Sequence, residues 1–106
     1  MNQEALISIR KLCMESSIIW SQHVAIRCLQ RGIQTDDIEN CILNGEILEE
    51  YLDDYPYCSY LILGLTTKSE KLHVVCGIGD NKLWIITAYF PSLDKWDNNF
   101  KERKEQ

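Results

Sequence analysis

The residues best suited to chemistry lie in "WSQHVAIRCLQRG", residues 20–32. At about 100° per residue, a helix puts His23, Arg27, Gln30 and Arg31 in one arc. Val24, Ala25, Ile26, Cys28 and Leu29 fill the rest. His23 and Arg27 are neighbours at i, i+4. Together they could hold a phosphate, the Arg by a bidentate charge-assisted contact and the His by moving a proton. The helix N-terminus would add backbone N–H donors. The plain alternative is a solvated helix face. His73, the other histidine, lies inside the apolar run "KLHVVCGIG", where a satisfied core histidine is the ordinary reading.

Other chemistry is weakly signalled. The chain has no Gly-rich phosphate loop, no HExxH and no serine in a nucleophile-elbow pattern. The five cysteines, Cys13, Cys28, Cys41, Cys58 and Cys76, have no CxxC spacing and alternate with apolar residues. They read as buried reduced thiols, not as a disulfide framework or a zinc site. No metal and no cofactor is expected. Trp20, Trp84 and Trp96 read as core or clamp residues, and Tyr51, Tyr55, Tyr57 and Tyr60 as packing around a loop.

Charge is segregated along the chain. Residues 36–54 hold eight acids and no base, and the remainder holds eight acids and eleven bases, which gives the net charge of −5. An acidic whole weighs against broad electrostatic binding of nucleic acid but allows a local basic pocket. The acidic stretch reads as solvated surface or as a face for a basic partner. No run of about 18 apolar residues and no secretory h-region is present, so a cytoplasmic protein without a membrane span is expected.

The elements that must carry these residues follow from period and punctuation. Residues 3–16 have Leu6, Ile9, Leu12 and Cys13 at helical spacing. Ser21 caps the second helix and Gly32 closes it. Thr35 is expected to cap a third, with Asp36 and Asp37 in its first turn and Asn44-Gly45 at its end. Then the period changes. "EILEEYL", "CSYLILGL", "KLHVVCGIG" and "KLWIITAYF" read as strands, the first as a short edge strand, with "GDNK" as the hairpin turn between the last two. Residues 92–104 read as a terminal helix or extended tail. The expectation is one α+β domain over residues 1–106, with N-terminal helices packed on a curved antiparallel sheet of about four strands. In the last strand Thr87 and Tyr89 would share a side with Ile85. A two-residue turn would pair Val74 with Thr87 and leave His73 on the opposite face, unless a bulge intervenes.

The order of "SQHVAIRCLQRGIQTDDIENCILNGEILEEY", "YPYCSYLILG", "LHVVCGIGDNKLWIITAYFPSLDKW" and "FKERK" resembles the bacterial and archaeal family called domain of unknown function 4258, over residues 18–104. That family is similar to small ribonuclease toxins of the RelE and colicin-nuclease type. The resemblance implies a site of His23, Arg27, Thr87 and Tyr89, with Arg31 and His73 as substrate-binding residues. It implies RNA as substrate and a small zinc-binding, antitoxin-like protein as partner. Phe90 in "ITAYFP" stands where an acidic or polar residue is common in the family. Two functions are expected from these readings: a metal-independent endoribonuclease of a toxin–antitoxin pair, or a non-catalytic protein-binding module of the same fold.

Overall fold

A computed structural model describes residues 3–104. Three helices come first. Helix α1 spans Gln3–Met14 and buries Ala5, Leu6, Ile9 and Cys13. It ends on Ser16 in the left-handed region, where Ser17 N donates to Leu12 O and Ser16 N to Cys13 O. That is the paired-bond C-terminal stop, made here without glycine. Helix α2 spans Gln22–Arg31. Ser21 Oγ accepts from Val24 N at 3.1 Å, and Gly32 (φ 71°) closes the other end. Helix α3 spans Thr35–Asn44.

The cap of α3 differs from expectation. Gln34, not Thr35, is the N-cap residue, and Thr35 is the first helical residue. Asp37, three residues in, reaches back to accept from Gln34 N at 3.0 Å. Its other oxygen accepts from Thr67 N and Thr67 Oγ1. One carboxylate thus satisfies the helix start and ties it to the β3–β4 turn, so the boundary moves one residue back. At the far end, Arg10 of α1 donates to Gly45 O at 2.6 Å, a cation at a helix C-terminus.

The sheet has five strands: β1 Ile18–Trp20, β2 Glu46–Tyr51, β3 Ser59–Leu65, β4 Lys71–Gly79 and β5 Lys82–Tyr89. Their order is β1-β5-β4-β3-β2. The α+β class and the helices laid on a sheet match the sequence reading. The sheet itself is mixed, because β1 runs parallel to β5. Three residues leading into Ser21 are too short to show a strand period, so this strand was not legible. The last segment is also different: residues 91–104 form no helix. They fold back on themselves, with Trp96 paired to Arg103 and Lys104 N donating to Lys95 O.

The helices cover one face of the sheet. Ile38, Ile42, Ile47, Ile62, Leu72, Val74 and Cys76 are fully buried there. Gly64 permits the closest approach: a Cβ there would lie 2.2 Å from Cys41 O of α3. Helix α2 is more lightly held. Only Val24 and Cys28 are buried, whereas Ile26 and Leu29 are exposed, Leu29 by 81%. It rests on β5 by one narrow ridge, not by the broad apolar side that its composition suggested.

The strap formed by residues 91–104 covers part of the opposite face. Its Trp96 and, beneath it, Leu61, Leu63 and His73 are buried outside the main core. Asp80 and Asn81 both have positive φ, so the β4–β5 turn is the expected two-residue hairpin and Gly79 faces Lys82. A bulge then shifts the register between Val75 and Cys76, with Ile86 as the extra residue. Val75 therefore pairs with Thr87, and His73 with Tyr89. Trp84, Thr87 and Tyr89 share the strap face with His73, while Ile85 and Ala88 turn to the helices. This corrects the regular alternation expected for β5. No helix among the described residues is long and apolar enough to cross a membrane.

Candidate functional site

Strand β1 covers β5 only at Leu83–Ile85, so the second half of β5 has a free edge. Arg31, the last residue of α2, reaches that edge. Its Nη1 donates to Ala88 O at 2.7 Å and approaches Thr87 Oγ1 at 3.4 Å. The strap closes the other side. Between them lies a cleft of about 450 Å³, walled by Arg31, Thr87, Tyr89 and Phe90 on one side and Ser92, Lys95, Trp96 and Arg103 on the other.

His73 forms the back of this wall and is fully buried. Its Nε2 lies 2.9 Å from Phe100 O and its Nδ1 lies 3.2 Å from Tyr89 OH. A carbonyl only accepts, so Nε2 carries the hydrogen. Nδ1 of the neutral ring then accepts from the Tyr89 hydroxyl, leaving the phenol oxygen's lone pairs free. Burial pushes the His73 pKa below its ordinary value, only partly offset by the Phe100 hydrogen bond and the Glu49 charge. Burial raises that of Tyr89, so the phenol holds its proton at neutral pH. Edge-on rings of Tyr89 and Trp96, 5.2 and 4.5 Å away, hold the imidazole in place.

Cations are unevenly matched here. Arg103 is held: Nε and Nη2 donate to Glu49 at 3.0 and 3.1 Å, and the guanidinium lies 4.7 Å from the centre of the Trp96 ring. Arg103 holds the Glu49 carboxyl below its ordinary pKa, and burial with the adjacent Glu49 pushes the Tyr51 phenol up to about 12. Lys101 pairs with Glu46 at 3.0 Å, so two ion pairs fasten the strap to β2. Arg31 and Lys95, by contrast, have no carboxylate partner among the described residues. The cleft therefore presents two uncompensated cations beside the hydroxyls of Thr87, Tyr89 and Ser92. Such a group of donors suits an oxyanion.

Of the six residues singled out from the sequence, four meet here: Arg31, Thr87 and Tyr89 line the cleft, and His73 backs it. His23 and Arg27 do not line it. They are exposed on α2, about 12 and 6 Å back along its axis at about 1.5 Å per residue. Their side chains have no hydrogen-bond or ion-pair partner among the described residues. Sequence reading did not assign Lys95, Ser92, Arg103 or Glu49 to the site. The available signal was a Trp between charged residues in an aperiodic tail, which has no reason to be there unless it docks.

The cysteines lie elsewhere. All five are free, and only Cys58 is not buried. Burial pushes the Cys13 thiol up to about 11 and the Cys41 and Cys76 thiols up to about 12. These are protonated packing groups, not nucleophiles.

Fold and cleft together define a small α+β domain with a polar, cation-bearing cleft at a free sheet edge. Residues 20–90 match the family described as Domain of unknown function (DUF4258), and the chain belongs to that family. The match ends at Phe90, so the strap that supplies Lys95, Trp96 and Arg103 lies outside it. No curated protein and no solved structure matches the chain.

Proposed function

We propose that the cleft binds a phosphodiester of RNA and that the chain is the metal-independent endoribonuclease of a toxin–antitoxin pair. The observation that carries this reading is the convergence of two unpaired cations, Arg31 and Lys95, with the hydroxyls of Thr87 and Tyr89. Arg31 and Lys95 would neutralise the phosphate, and Thr87 would donate to a non-bridging oxygen. The Tyr89–His73 pair would move the proton. The Tyr89 oxygen takes the proton of the ribose 2′-OH while its own proton passes to His73 Nδ1. The 2′ oxygen attacks phosphorus and the P–O5′ bond breaks. A 2′,3′-cyclic phosphate and, on proton return, a 5′-hydroxyl result. The Phe100 carbonyl holds the His73 tautomer that makes Nδ1 the acceptor. Arg27 and His23, on the same helix, would meet the flanking backbone. A small zinc-binding partner of antitoxin type would act by covering the cleft.

A second reading, phosphate binding without cleavage, is favoured by one feature: both ring nitrogens of His73 are engaged and no free imidazole lines the cleft. The two are separated with purified protein and RNA in EDTA. Cleavage products ending in a cyclic phosphate, slowed about 100-fold or more by Tyr89→Phe, support the first. Intact RNA that is bound, and released by Arg31→Ala, supports the second. Absence of binding overturns both.

A further inference from the structure

The strap face of the sheet continues past Thr87 into an aromatic groove of about 570 Å³. Trp84 and Tyr57 form its floor, with ring centres 5.7 Å apart. Both rings are fixed. Trp84 Nε1 donates to Gly79 O at 2.9 Å, and Tyr57 lies so close over Gly79 that a Cβ there would be 2.1 Å from its ring. Tyr55 stands at the rim, 95% exposed, and Ile86 at the bulge is 46% exposed. The groove is mostly apolar, and its one charged lining residue is Asp54. Trp84, Thr87 and Tyr89 share one face of β5, because their partners Gly77, Val75 and His73 alternate along β4. Because the bulge takes up Ile86, Trp84 and Thr87 lie two strand steps apart, about 7 Å at roughly 3.3 Å per residue. That spans about two base-stacking steps of roughly 3.4 Å.

We infer that this groove is a base-stacking subsite for the same RNA strand whose phosphate occupies the cleft. The inference rests on the phosphate reading above and adds the recognition of bases. Charge divides this face into two ends. The cleft end offers cations and hydroxyls, and the groove end offers aromatic faces beside an acid that repels phosphate. A nucleotide chain has that division, with anionic backbone and neutral rings. Two immobilised rings and one exposed ring cost little entropy on binding, and a base stacks on any of them without sequence preference. Asp54 is itself tied to Ser59 Oγ, so it shapes the rim without reaching across the rings.

The test compares single-stranded RNA of about eight nucleotides with a strand of equal length that lacks bases. The wild-type chain binds the RNA about tenfold more tightly than the abasic strand. Tyr55→Ala removes an exposed ring and lowers RNA affinity about tenfold, leaving the abasic strand unaffected. Lys95→Ala weakens both strands. Equal wild-type affinity for the two strands, with no effect of Tyr55→Ala, overturns the stacking subsite and leaves the phosphate cleft standing. A Tyr55→Ala effect on the mass in solution, with none on RNA affinity, assigns the groove to a second copy of this chain and overturns it too. Binding of neither strand overturns the cleft and the groove together.

Discussion

The two faces of the sheet use the same strands for different ends. On the helix side, β3 and β4 present Ile62, Leu72, Val74 and Cys76, and helices bury them completely. On the strap side the alternate residues of β4 are His73, Val75 and Gly77, met by Tyr89, Thr87 and Trp84 of β5. The first face holds aliphatic groups and a buried thiol that keeps its proton. The second holds a buried imidazole, two phenols and an ion pair, each with a partner that a ligand or a proton could replace. Apolar packing is concentrated on one side and hydrogen-bonded, titratable groups on the other. The teaching is that a two-residue strand period can serve both, provided that one bulge sets the phase.

The largest expected effect is on the helix side. Ile62→Ala empties a fully buried site between α3 and the sheet and should cost about 4 kcal/mol. That is a large share of the stability of a small domain. Urea denaturation with a single transition shifted to lower midpoint checks it. A loss below about 1 kcal/mol would mean that the helix side is not where the stability resides.

Trp96→Ala is next, at about 3 kcal/mol by the usual cost of removing a buried Trp. Its character should differ. The strap is held by Trp96, two ion pairs and the His73–Phe100 bond, so the loss should fall on the strap first. Hydrogen exchange should accelerate at residues 91–104 and at His73 while the α1–α3 amides stay protected. Uniform acceleration across the chain would erase the distinction between the faces.

These expectations also mark what was legible beforehand. Helix positions, the Ser21 and Gly32 ends, the hairpin turn and four of the strands follow from local signals of period and punctuation. The strap side does not, because its members come from distant parts of the chain. Glu49 and Arg103 are 54 residues apart. Neither carries any mark that the other is its partner. The phase of β5 was illegible for another reason. "LWIITAY" alternates well enough for a regular strand, and nothing in it shows that Ile86 is the residue left over. One displaced residue moves His73 from the face away from Thr87 to the face that it shares with Thr87 and Tyr89. Of the helical stripe His23, Arg27 and Arg31, periodicity gave the common face, but only tertiary placement shows that Arg31 alone reaches the sheet edge.

A smaller effect separates the strap's ion pairs from its packing. Glu49→Gln removes the charge that Arg103 meets but keeps the shape. About 1 kcal/mol is expected at low salt, since Arg103 is more than half exposed. The difference from wild type should shrink as salt is raised to about 1 M, where screening acts within about 3 Å. A loss of similar size at every salt concentration would point to the Tyr51–Glu49 hydrogen bond instead.

The smallest effect is the one only the strap side can produce. His73 is buried neutral, with its pKa below the ordinary 6.5. The unfolded chain therefore takes up this proton more readily than the folded one. Stability falls as pH drops below about 6.5 and keeps falling until the folded-state pKa is passed. Asp37 and Glu49 act later, because their pKa values are depressed from 3.8 and 4.5 and their stabilisation is lost only as pH falls through the folded values. His73→Gln has an amide that can donate to Phe100 O and accept from Tyr89 but does not titrate. Wild type should lose stability between pH 7.5 and pH 5.5, and the variant should lose less, by a few tenths to about 1 kcal/mol. Denaturation midpoints at the two pH values measure the difference. Parallel profiles would mean that the strap opens enough for water to reach the imidazole, and the face assigned to chemistry would then be solvated before any ligand arrives.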